Sequence, residues 1–229
     1  MDTVEPPLED RIWDAHAKAY LSWVLVLVLV LVHIWVSGSD WIFGASARQL
    51  LTSGALNAQR IDSGELWRLS ASLFLHGDLI HLVFNALAVL ALGRLSQAIF
   101  GWVRSVEILY LSGLAGAFLS WSMGATRTVG ASGAIFGLLA ALCIFGWKYR
   151  DEMRGELGEL LRRRLLFWGG VNLFIGLIIP NIDNPSHFGG FICGCMLGAI
   201  VGHRWDKKSD LIILAFPCIL GIWCTIATM

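Results

Sequence analysis

The sequence predicts an all-α, polytopic membrane protein, and three observations carry that prediction. Hydrophobic residues make up 56% of the chain against 15% charged, with a mean hydropathy of +0.68, which is too little polar surface to cover a water-soluble globule of 229 residues. Seven apolar runs approach the roughly 20 residues that a helix needs to cross the hydrocarbon layer. The 17 Lys and Arg fall unevenly between those runs, as basic residues do in the cytoplasmic connections of membrane proteins. The net charge of zero says nothing about partners. Cys143, Cys193, Cys195, Cys218 and Cys224 all lie inside apolar runs without metal-ligand spacing, so neither a disulfide nor a metal is expected.

Residues 1–19 carry Asp2, Glu5, Glu9, Asp10 and Asp14 around Pro6 and Pro7 and read as a polar, mobile tail; a secretory signal would start basic. The first apolar run, Tyr20 to Val36, alternates Leu and Val as a strand would, but its uninterrupted length favours a helix. Residues 37–72 are longer than a bare connector. They mix Leu50, Leu51, Gly54, Ala55 and Trp67 with Arg48, Asn57, Gln59, Arg60 and Asp62, which suits short amphipathic pieces in the interface.

The remaining runs are roughly Leu79 to Leu95, Val103 to Met123, Ala131 to Trp147, Leu165 to Ile179, Ser186 to Gly202 and Leu211 to Met229. With the amino terminus cytoplasmic, thirteen basic residues lie inside, and Arg48, Arg60, Arg68 and Arg127 lie outside. That split supports seven spans and an external carboxyl terminus. The division that follows is a cytoplasmic tail (1–19), a six-span core (20–202) with its long first external loop, and a connector with a seventh span (203–229).

Ionisable and amide side chains within spans are costly in lipid and tend to mark function. His76, His81 and Asn85 stand at the start of the second span, His81 and Asn85 being four apart and on one helical face. Ser132 opens the fourth span inside Gly130-Ala131-Ser132-Gly133, and His187 opens the sixth. Both lie at the external ends of their spans, at similar depth. Gly133 and Gly137 on one helix, and Gly190, Gly194 and Gly198 on the other, give four-residue glycine faces that let two backbones approach closely. Close packing alone is one reading of those glycines, and helix-to-helix hydrogen bonding or a transporter's proton relay is one reading of the histidines. Brought together, a serine beside a histidine can be activated as a nucleophile. Phe136, four residues after Ser132, can pack on the imidazole. His81, Asn85 and the Ser132 amide can donate to an oxyanion.

These residues, in this order, resemble the rhomboid intramembrane serine proteases. The likeness runs from about Gly54 to Gly202 through Glu65-Leu66-Trp67-Arg68, Phe74-Leu75-His76, His81-Leu82-Val83-Phe84-Asn85, Gly130-Ala131-Ser132-Gly133 and His187-Phe188-Gly189-Gly190. The resemblance implies a six-helix core plus an additional span, and a Ser132–His187 dyad acting without cofactor. It also implies an oxyanion site of His81, Asn85 and the Ser132 amide, with Gly130, Gly133, Phe136 and His76 in support. Phe136 stands where family members often place tyrosine. Phe84, with an unassigned residue of the fifth span, is expected at a lateral gate. Asp183, four residues before His187, offers a triad reading, which the family's dyad disfavours. The implied partners are transmembrane protein substrates within the lipid bilayer, and neither a nucleic acid nor a metal. The alternative is a rhomboid-like factor that binds membrane proteins without cutting them. The expected location is a multi-pass position in a bacterial inner membrane.

Overall fold

The computed structural model describes residues 5–179 and 182–205. These residues form eleven α-helices: α1 (Leu8–Ala17), α2 (Leu21–Ser37), α3 (Ala47–Thr52), α4 (Ala58–Asp62), α5 (Arg68–Ala71), α6 (Leu79–Phe100), α7 (Trp102–Ser122), α8 (Ser132–Lys148), α9 (Glu156–Glu159), α10 (Leu165–Ile178) and α11 (Asn184–Ile200). The all-α expectation holds. Six of the helices, α2, α6, α7, α8, α10 and α11, match six of the expected apolar runs, and the run from Leu211 lies outside the described residues, as do Cys218 and Cys224. By length and composition three helical stretches can cross a membrane: Leu21–Asp40, where a short 3-10 turn extends α2, then α6 and α7. The others are shorter, and of these α8 is the one enclosed by the bundle.

All but a few of the 17 residues of α8 are buried, among them Phe136, Leu138, Leu142 and Phe145. It is the central element, with α11 and α7 packed on it and α10 and α6 outside. Large apolar side chains instead face outward on α2 (Trp23, Leu27, Leu31, Trp35), α6 (Ile80, Phe84, Leu87) and α10 (Phe167, Trp168, Phe174, Leu177), as a hydrocarbon solvent permits. Between α6 and α7 the chain reverses in a single residue, Gly101, at a φ of 86° that only glycine adopts without strain.

The stretch after α2 is built as the sequence suggests, from short pieces. Ser46 and Gln49 form a reciprocal capping box at the start of α3, and Asn57 caps α4. This layer is joined to the α7–α8 connection by a two-way backbone bridge between Leu56 and Thr128, each N–H donating to the other's carbonyl at 3.0 Å. Its centre is Arg68, 1% exposed. The guanidinium donates to Glu65 at 2.7 Å and to the carbonyls of Leu51 (2.7 Å) and Ala55 (3.0 Å), and stacks on Trp67. Trp67-Arg68 is therefore the clasp of this layer. Arg68→Ala leaves two carbonyls and a carboxylate without their donor and is expected to cost about 3 kcal/mol, measured as lower thermal stability in detergent; Lys cannot reproduce the fork and is expected to rescue little.

Residues 8–17 differ from the mobile tail expected of them. They form a helix with Leu8 and Ile12 buried against α6, and Glu9 accepts a hydrogen bond from the Gly155 amide at 2.8 Å. The acidic composition masked a short apolar stripe at four-residue spacing.

Candidate active site

Each polar residue of the site is delivered by a helix start. Asp78 caps α6 by accepting from the His81 amide at 2.8 Å, which fixes His81 in the first turn and Asn85 one turn below. Gly130 lies at a φ of 123°, its amide bonded to the Ser72 carbonyl at 2.9 Å, and the chain then turns into α8 at Ser132. No side chain caps α8, and its first backbone bond runs from Ile135 to Ala131. The amides of Ser132 and Gly133 are thus among the donors that a helix start leaves unused. On α11, Asp183 caps the helix by accepting from the Ser186 amide at 3.0 Å, Pro185 sits in the first turn, and His187 follows.

The two helices meet at their glycines. A Cβ at Gly190 would lie 2.0 Å from the Gly133 carbonyl oxygen, and one at Gly194 would lie 2.0 Å from that of Gly137. At this separation His187 Nε2 stands 2.8 Å from Ser132 Oγ. The imidazole stacks on the Phe136 ring, with centroids 4.4 Å apart and planes 22° apart. His187 Nδ1 is buried without a hydrogen-bond partner among the described residues. For Nε2 to accept the serine proton the ring proton must sit on Nδ1.

Asp183 does not reach the imidazole. Its carboxylate is occupied by the Ser186 amide and by the Ser120 hydroxyl of α7, so among the described residues the serine–histidine contact has no carboxylate hydrogen-bonded to it. The Asp183-Asn184-Pro185-Ser186 spacing carried this cap in the sequence. Also unread there was α7 as the second neighbour of α11. The start of α11 lies in a groove formed by Gly116, where a Cβ would be 2.4 Å from the Ser186 carbonyl, and by Ala115, whose carbonyl would be 2.7 Å from a Cβ on Gly189.

His81, Asn85 and Gly130 come together. The Nε2 of His81 and Nδ2 of Asn85 point at the space where a Gly130 side chain would be, 2.7 and 3.9 Å from its ideal Cβ, two residues before Ser132. Asn85 is buried and spends one N–H on the His81 carbonyl at 3.0 Å, keeping the other available. His76 lies behind, its ring 5.1 Å from that of His81 and 1% exposed. Phe84 is exposed on the outer side of α6.

Residues 63–204 match the Rhomboid domain family model. RHOMBOID-like protein 5 of Arabidopsis thaliana is 35% identical over 168 residues, covering 71% of this chain and 52% of that protein. The mitochondrial RHOMBOID-like protein 6 of Arabidopsis thaliana is 36% identical, covering 69% and 51%. The rhomboid protease GluP of Bacillus subtilis (strain 168) is 33% identical over 153 residues, covering 67% of this chain and 29% of that protein. The chain spans about half, or less, of the length of these curated relatives.

Proposed function

The chain belongs to the rhomboid family, and from that premise we propose that it is an intramembrane serine endopeptidase that cleaves transmembrane helices near their external end. The observation that carries the proposal is the 2.8 Å contact between His187 Nε2 and Ser132 Oγ, at the starts of two helices pressed together by glycine. The name of the Bacillus relative, a rhomboid protease, points the same way.

In this reading Ser132 Oγ attacks a peptide carbonyl exposed where a substrate helix unwinds. His187 Nε2 takes the hydroxyl proton and returns it to the leaving amine. The oxyanion is held by the Ser132 amide and by the side chains of His81 and Asn85. Water then attacks the acyl-enzyme, with the same imidazole as base, and releases the second fragment. Nothing in this cycle calls on a cofactor. Phe136 holds the ring by stacking, which needs no tyrosine hydroxyl, and Gly130 leaves room for the oxyanion donors. Residues 20–202 make up the protease core, with residues 1–19 on the cytoplasmic side, and the run expected as a seventh span lies outside the described residues. Phe84 lies on the route by which substrate enters from lipid. The relatives named above come from Arabidopsis and Bacillus, so they do not single out a bacterial inner membrane.

The deciding experiment mixes the purified protein with a panel of single-span substrates in liposomes, beside its Ser132→Ala variant. Fragments from the parent alone support the proposal. Equal cutting by both would sink it, and a folded parent that captures substrates yet neither cuts them nor reacts with a fluorophosphonate would be a binding factor. Within the site, Asn85→Ala is expected to lower kcat by about 10²- to 10³-fold with little change in KM, because an oxyanion donor acts in the transition state.

A further inference from the structure

The end of the bundle opposite Ser132 carries a second polar feature. There α1 turns Arg11, Asp14, Ala15 and Lys18 to one side, positions that share a helical face. Opposite them lie Tyr20 before α2, Gln97 near the end of α6, Trp102 at the start of α7, and Arg204-Trp205 beyond α11. These residues enclose a cavity of about 480 Å³, within the size range of small-ligand sites.

Its charges are arranged in an unusual way. The guanidiniums of Arg11 and Arg204 lie over the same Trp205 ring, at 4.6 and 5.7 Å from its centroid. Two like charges are thereby held beside one indole, with Lys18 lining the same space. Asp14 is the one carboxylate in the lining. Arg11 also pairs with Glu5, which is largely exposed. Among the described residues neither Lys18 nor Arg204 has a carboxylate partner. Such a cluster is relieved by an anion, and guanidinium groups bind phosphate in two-point fashion. Tyr20 and Trp102 are 62% and 58% exposed at its rim, and interfacial aromatics mark headgroup depth.

We propose that this cavity binds the phosphate of an anionic phospholipid in the leaflet away from the Ser132 site. Basic pockets between membrane helices take such headgroups. A lipid is favoured over free phosphate because the cavity opens past Tyr20 and Trp102 at the depth where headgroups lie.

The test measures lipid retained by the purified full chain in detergent, by native mass spectrometry, for dioleoyl phosphatidylglycerol against dioleoyl phosphatidylcholine. Each cation near a headgroup contributes about fivefold in binding, so the parent is expected to prefer phosphatidylglycerol and the Arg11→Gln/Arg204→Gln pair to lose about thirtyfold. Arg163→Gln, which removes an exposed charge at the same end of the bundle but outside the cavity, is expected to behave as the parent. If the double variant does not fold, Lys18→Gln alone is expected to lose about fivefold. Unchanged retention in the cavity variants overturns the proposal. So does an equal loss in Arg163→Gln, which would mean diffuse surface charge, or displacement of the lipid by equimolar inorganic phosphate, which would make this a free-phosphate site.

Discussion

Ser132→Ala, His187→Ala and the double replacement are expected to lose substrate cleavage to the same extent, by about 10⁴- to 10⁶-fold. The equality is the informative part. A nucleophile and its base act as one unit, so removing the second after the first has nothing left to remove. Rates for the three variants on one substrate, measured with excess enzyme, check this. An unfolding midpoint measured on each variant separates loss of chemistry from loss of fold, because His187→Ala also removes the imidazole that stacks on Phe136. A His187→Ala protein that kept most of its rate would leave Ser132 with some other base, whereas among the described residues its hydroxyl is hydrogen-bonded to His187. The carboxylate nearest in sequence, Asp183, is committed to Ser186 and Ser120. Its replacement should therefore loosen the start of α11 rather than remove a proton acceptor.

Much of this arrangement was legible in the sequence because it depends on helix starts. Once Ser132 and His187 are placed at the first turns of two apolar runs entering from one side, their depths match without knowledge of the packing. The glycine repeats then name the faces in contact. Less of the surrounding support was legible, since it comes from contacts distant along the chain. Ser120 meets Asp183 across 63 positions, and Gly116 accommodates Ser186; neither pairing leaves a periodic trace. Helix α1 was hidden for a different reason. The five acidic residues in and before it suggest a solvated tail, and Leu8 and Ile12, buried on α6, show otherwise. The lengths of the shorter helices were also obscured. Hydropathy reports apolar residues, and α8 is apolar because it is enclosed by protein rather than because it faces lipid.

The contact that makes the serine–histidine pair possible also predicts the largest effect on stability. A Cβ at residue 194 would lie 2.0 Å from the Gly137 oxygen and 2.5 Å from that residue's carbonyl carbon and Cα. All three are backbone atoms in the most enclosed helix, so no side chain can rotate to make room. Gly194→Ala is therefore expected to push α11 off α8, at a cost of about 3 kcal/mol or more, seen as a lower unfolding midpoint in detergent. Activity should fall further than stability alone requires, because the same displacement lengthens the 2.8 Å contact between His187 and Ser132. Gly170→Ala on α10 is the comparison. A Cβ there meets nothing within 4 Å, and alanine is the better helix former by about 1 kcal/mol, so that variant should be as stable as the parent or more so. If both replacements were equally harmless, the helices would not be in backbone contact, and the geometry that brings Ser132 to His187 would have to arise in another way.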